Sequence, residues 1–145
     1  MLEQTVGSFE RGVHLLEGML GRGNARRVRV AWHKLSPDFE RYVLTFLSGE
    51  IWLRPGLDRR TRSLCTIATL AALGRSNGLA LNIRMALHNG ATRAEILETL
   101  LHIAPYAGFP ATWDALVLAG RVLGKGKQAR ARLRESPRRK LRGSS

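Results

Sequence analysis

The sequence predicts an all-α fold, a compact bundle of about six helices. Three observations carry that expectation. Apolar residues recur at three- and four-residue spacing through most of the chain. Capping residues and helix stops fall at the ends of those segments. Strand signals are weak: alternation is brief (VRVAW, 28–32), and no Asn-Gly or Asp-Gly turn separates two apolar runs. Asn89-Gly90 resembles such a turn but has helical patterns on both sides. With 145 residues, 44% hydrophobic but only 6% aromatic, the chain has material for one aliphatic core rich in alanine and leucine.

The elements follow in order. Phe9, Val13, Leu16 and Leu20 line one side of a first helix over 8–20, and Gly21, Gly23 and Asn24 stop it. Ser36-Pro37-Asp38 supplies a capping hydroxyl, a proline suited to the first helical position and an acid for the first turn. Phe39, Tyr42, Val43, Phe46 and Leu47 then share one face. A loop follows over 48–57, SGEIWLRPGL, carrying Glu50, Trp52 and Arg54. An acid, an indole and an arginine on a loop beside an aliphatic bundle suggest function. Asp58 caps a third helix running to Leu73, with Gly74 at its end. Its half LCTIATLAAL (64–73) has no charge on any face, which predicts burial on nearly all sides. Asn77 opens a fourth helix ending at His88-Asn89 and Gly90. Thr92-Arg93-Ala94-Glu95 is a capping box for a fifth, which Pro105 ends near Ala104. A sixth runs from Pro110 to Leu123. The domain is therefore 1–124, with a basic, disordered or frayed tail over 125–145.

Charge and cysteine content narrow the function classes. The net charge is +13, and residues 121–145 carry +9 of it, with ten Lys or Arg against the single acid Glu135. The body is only mildly basic. The tail lacks Phe, Tyr and Trp, so a stacking platform for single strands is missing, and a solvated solubility tail is expected rather than a nucleic-acid site. One cysteine, Cys65, excludes an internal disulfide and any Cys-X-X-Cys pair. No histidine pair has metal-ligand spacing with a carboxylate, so no metal is expected. No apolar stretch is long enough to span a bilayer, and MLEQTVGSFERG has no signal-peptide core, so a cytoplasmic protein is expected.

Three stretches then point to a family: GEIWLRPGLDRRTRSL (49–64), ALHNGATRAEILETLLH (86–102) and YAGFPA (106–111). Together they resemble the carboxymuconolactone decarboxylase family over about residues 10–123. The resemblance implies the alkylhydroperoxidase-like helical fold, assembly into a homo-trimer or homo-hexamer, and removal of CO2 from a carboxylated lactone in aromatic catabolism with no cofactor. A related peroxidase branch carries Cys-X-X-Cys where this chain has Arg75 and Gly78, and a glutamate where it has Ser63. Thiol peroxidase chemistry needs two thiols, so that activity is excluded.

Decarboxylation of this kind needs cations for the remaining carboxylate, donors for a carbonyl oxygen becoming anionic, and an acid to protonate carbon. Arg54 and one of Arg59, Arg60 or Arg62 could supply the cations, because a guanidinium grips both carboxylate oxygens. Arg59 and Arg60 read better as surface ion pairs. For Arg54 a structural and a functional role are balanced. Glu50, beside Ile51 and Trp52, suits a proton carrier or an orienting partner for Arg54. Asn82 stands where decarboxylase members carry histidine and keeps a hydrogen-bond donor, but it cannot shuttle a proton near neutral pH. Trp113 stands where they carry asparagine, which makes a pocket more apolar. Glu50, Asn82 and Arg54 are thus the candidate catalytic residues. Trp52 (packing rather than catalysis), Arg62, His102, Tyr106 and Trp113 are the candidate substrate-binding residues. His88 is expected on the last carbonyls of its helix, and His14 and His33 are expected to be structural or exposed. Two alternatives stand beside the lyase. One is a repurposed member tailoring a larger natural product by proton transfer or cyclisation. The other is a non-catalytic scaffold whose tail binds nucleic acid.

Overall fold

The computed structural model describes residues 6–135, with side chains as far as Lys125. Among these residues all regular structure is helical: α1 (Ser8–Leu20), α2 (Arg22–Leu35), α3 (Pro37–Tyr42), a π-helical segment (Val43–Ile51), α4 (Arg59–Ala72), α5 (Ser76–His88), α6 (Arg93–His102), α7 (Ala104–Ala107) and α8 (Phe109–Glu135). Three of the expected caps are in place, whereas α5 begins at Ser76 after Arg75 with no side-chain cap, so Asn77 lies within its first turn instead of opening it. The Phe39 amide donates to Ser36 Oγ (3.2 Å), and the Thr61 amide to Asp58 Oδ1 (2.7 Å). At α6 the Glu95 amide donates to Thr92 Oγ1 (3.1 Å) while the Thr92 amide donates back to Glu95 Oε2 (2.9 Å). Each cap satisfies an amide that has no partner within its own helix.

Several expectations change. Only Gly21, at φ 78°, breaks the chain after α1; Gly23 and Asn24 lie in the first turn of α2. That helix was masked in the sequence by its cations, which interrupt the apolar series Ala25, Val28 and Trp32. The segment read as a loop from residue 48 begins as a π-helix. Its widened turn is visible where the Trp52 amide reaches the Leu47 carbonyl five residues back (2.9 Å). Pro105 does not lie outside helix but near the start of α7, where a missing amide costs nothing. Helix α8 passes Gly124 and continues to Glu135, so residues 125–135 have helical backbone; the rest of the predicted tail, 136–145, lies outside the described residues. Helix α4 buries Ser63, Ile67 and Ala71 but leaves Cys65, Thr69, Ala72 and Leu73 exposed. Its neighbours α5, α6 and α8 cover one side only, so absence of charge did not mean burial all round.

Two cores result. The first joins α4, α5, α6 and α8 through Ile67, Leu79, Ile83, Ile96, Leu100 and Ala119. The second joins α1, α2, the π-helical segment and one side of α5 through Leu15, Leu16, Met19, Leu44, Trp52 and Met85. Its closest approach is backbone on backbone. A Cβ on Gly12 would overlap the Leu44 carbonyl, and one on Gly49 would overlap the Ser8 carbonyl.

Candidate active site

The end of the π-helical segment, which carries Glu50, and the turn from it to α4, which carries Trp52 and Arg54, position the Glu50–Arg54 group. Trp52 is buried and anchors this turn in the second core, to which α5 contributes Met85. Glu50 and Arg54 are exposed on either side of it. The anchor is therefore the indole, and the two charged side chains are what it presents.

Arg62 ties the turn down from α4. Its Nη2 donates to the Arg54 carbonyl (3.1 Å) and, at the limit of contact, to the Leu57 carbonyl (3.5 Å). Its Nε is buried and has no hydrogen-bond partner among the described residues. A buried cationic N–H without an acceptor is costly, which makes this atom the notable polar feature of the region. Arg60 instead pairs with Glu95 on α6, as its reading as a surface ion pair anticipates. Arg59 is exposed. Asp58 caps α4 between these arginines; hydrogen bonds from the Thr61 amide and hydroxyl hold its carboxyl below the usual carboxylate range, with the nearby Arg60 charge adding to the effect.

One polar contact joins α4 to the C-terminal end of α5 beside their aliphatic seam. The Asn89 amide donates to the fully buried Ser63 hydroxyl (3.0 Å) and lies against Met19 Sδ (3.2 Å). Asn82, seven residues before Asn89 and so on nearly the same side of α5, is half-buried and donates to the Gly78 carbonyl of its own helix (2.9 Å). That bond uses one N–H of the amide and leaves the other N–H and the oxygen available.

The remaining candidates lie together elsewhere. His102, at the end of α6, stacks at 5.6 Å on Tyr106 of α7. Both are exposed, as are Phe109 and Trp113 at the start of α8, with Tyr106 and Trp113 at 81% and 72%. The structure thus joins Arg54 to Arg62 and His102 to Tyr106, while Trp52 shares the second core with Met85 of the helix that carries Asn82. Two cavities lie apart from all eight candidates. One, of about 350 Å³, is lined by Gly74, Arg75 and Ser76 ahead of α5 and by Asp114 and Leu118 of α8. The other, of about 470 Å³, is lined by Phe9, His33, Glu40 and Arg41.

The second cavity adjoins a cluster that sequence reading did not assemble, although His33, expected to be structural or exposed, is both paired and exposed. Glu40 is buried, and its two oxygens take Arg29 Nε (3.0 Å) and His33 Nδ1 (2.8 Å). No periodic signal joins these three, because the Ser36-Pro37 corner separates their helices. Arg41 nearby is held above its usual value by its hydrogen bond to Asp38. His88 lies on the Arg84 carbonyl (3.0 Å), the helix-end role expected of it. Among the described residues no group of three or more His, Cys, Asp or Glu could hold a metal ion, and no helix is long and apolar enough to cross a membrane.

Residues 37–120 match the carboxymuconolactone decarboxylase family. The chain is 39% identical over 114 residues to 4-carboxymuconolactone decarboxylase of Acinetobacter baylyi, covering 79% of this chain and 85% of that protein. It is 30% identical over 118 residues to nitrosuccinic acid decarboxylase of Metarhizium robertsii, covering 79% and 80%. An uncharacterized 15.0 kDa protein of Paracoccus denitrificans is 36% identical over 91 residues, 61% of this chain and 68% of that one. The chain belongs to the carboxymuconolactone decarboxylase family.

Proposed function

We propose that this protein is a cofactor-independent decarboxylase of a small carboxylated lactone or aromatic-derived acid, with its site where the 52–58 turn meets α4 and α5. The supporting observation is Arg62, whose buried Nε lacks an acceptor while its Nη2 fixes the turn that carries Arg54. A substrate carboxylate supplies the missing acceptor, and Arg54, exposed on the same turn, adds a second cation. As the C–CO2 bond breaks, its electron pair moves into the conjugated carbonyl. The free N–H of Asn82 stabilises that oxygen, and Glu50 returns a proton to carbon. Two relatives are named for decarboxylation of acids, which supports the reaction class.

A second reading, a repurposed member acting on a bulkier substrate, rests on Asn82 in place of histidine and on Trp113, which widens an apolar surface with Tyr106 and Phe109. Incubation with 4-carboxymuconolactone while following CO2 release separates the two. The first reading expects turnover well above background, a fall of about a hundredfold or more in kcat/KM for Arg62→Met, and a further gain for Asn82→His. No turnover by the wild-type chain or by Asn82→His overturns it and favours the bulkier substrate.

The same proposal includes a homo-trimer or homo-hexamer. Leu101, Tyr106, Phe109, Trp113 and Val117 form an exposed apolar set, and the uncharged face of α4 is uncovered. A patch of this kind favours association. Sedimentation equilibrium is expected to give three or six times the mass of 16.1 kDa, and a monomer would remove this part.

A further inference from the structure

Helix α2 lies before residues 37–120, the part that matches the family model, and the proposed chemistry uses none of it. It carries Arg22, Arg26, Arg27, Arg29 and Lys34 and no acid. Arg29 is committed to the buried Glu40. The other four are exposed and have no ion-pair partner among the described residues. At about 100° per residue they fall within an arc of about 140°, so one side of the helix presents them together. The carboxylates of the neighbouring α3 are already taken, Glu40 by Arg29 and His33, and Asp38 by Arg41.

We propose that this face of α2 binds the phosphodiester backbone of a double-stranded nucleic acid, without reading its sequence. From Arg22 to Lys34 the helix rises about 18 Å, the length of about five successive phosphates on one strand of a duplex. Charge complementarity points to an anionic surface, and the disposition of apolar residues favours the duplex over an anionic membrane. A helix lying in a bilayer surface needs a free apolar side to bury. Here Ala25, Val28 and Trp32 are packed into the second core, and the exposed large apolar side chains of the helix are only Val30 and Leu35, which stand five residues apart rather than joined in one stripe. The absence of stacking aromatics counts against single strands but not against backbone contact. The Glu40 clamp on Arg29 and His33 holds the helix against α3, so the cations sit on a fixed support.

Fluorescence anisotropy with a short labelled DNA duplex tests this, using three forms of the full chain. One is wild type. The second carries Arg22→Gln, Arg26→Gln, Arg27→Gln and Lys34→Gln. The third, with the same loss of charge, carries Arg138→Gln, Arg139→Gln, Lys140→Gln and Arg142→Gln. Binding by wild type is expected to weaken steeply from about 50 to 200 mM salt. The α2 form is expected to flatten the slope of log K against log salt by about three to four, since each phosphate contact contributes about 0.9. The tail form is expected to keep most of the slope. An equal loss in both forms, a loss only in the tail form, or no wild-type binding overturns the proposal. So does tighter binding to phosphatidylserine vesicles than to the duplex at the same salt. The far-UV circular dichroism of the α2 form is expected to match wild type, and the pair Arg26→Gln and Arg27→Gln alone, expected to remove about half the effect, serves if the fourfold form loses helix.

Discussion

The two cores of this molecule are built on different principles. The core of α4, α5, α6 and α8 is a meeting of aliphatic side chains, with Ile67, Ile83, Ile96 and Leu100 all fully buried. The core of α1 and the π-helical segment buries large side chains too, Leu15, Leu16, Met19 and Leu44 among them, but at Gly12 and Gly49 it closes by backbone meeting backbone. The first tolerates exchange of one apolar shape for another; the second has no room for a single added carbon. The contrast teaches where the site gets its rigidity. The turn bearing Glu50, Trp52 and Arg54 springs directly from the glycine-closed contact and is pinned from the aliphatic side by Arg62.

The largest effect is expected from the aliphatic side. Leu100→Ala is expected to cost about 2–5 kcal/mol, because its fully buried surroundings cannot collapse around the cavity. Urea unfolding would measure it, and a loss below 1 kcal/mol (about half of the smallest expected cost) would mean that this core relaxes freely.

A matched glycine pair sharpens the contrast next. Gly49→Ala is expected to lose about 1–3 kcal/mol by forcing α1 away from the π-helical segment. Gly18→Ala, in α1 but with nothing within 4 Å of the added carbon, is expected to gain about 0.5–1 kcal/mol from helix propensity alone. Thermal melts that place both changes on the same side of wild type would break the comparison.

The smallest effect sits at the junction of the two regions. The Asp58 carboxyl is held below its ordinary value by Thr61, so its contribution is complete above the unfolded-state value, about 3.9, and is lost as pH falls through the lower folded value. Wild type is therefore expected to lose stability over that acid range by more than Asp58→Asn does. Parallel acid slopes would show that the cap adds no pH dependence.

Much of this architecture was legible in the chain. Ser36, Asp58 and Thr92 cap the helices expected of them, because capping is a local bond between a side chain and an amide three residues on. Trp52 was read as packing, and it is buried. What escaped was non-local. Glu40 gathers Arg29 and His33 across a corner, Ser63 meets Asn89 from another helix, and the exposed side of α4 depends on which neighbours arrive. The candidate site divides in the same way. The residues of the GEIWLRPGL stretch were found as a group because they are contiguous, whereas the orphaned Nε of Arg62 and the outward turn of His102, Tyr106 and Trp113 follow from three-dimensional placement.

By itself, then, the sequence determined that this protein is helical, where most of its helices begin, and the family whose motif it carries, since periodicity, capping and short contiguous patterns act over a few residues. Only the tertiary structure decided that Gly12 and Gly49 face each other's helices, that α2 exists as a cation-bearing helix, and that Arg62 holds the turn while keeping one donor free. Those features depend on groups far apart in the chain meeting at atomic distance, and no local preference of a residue encodes that meeting.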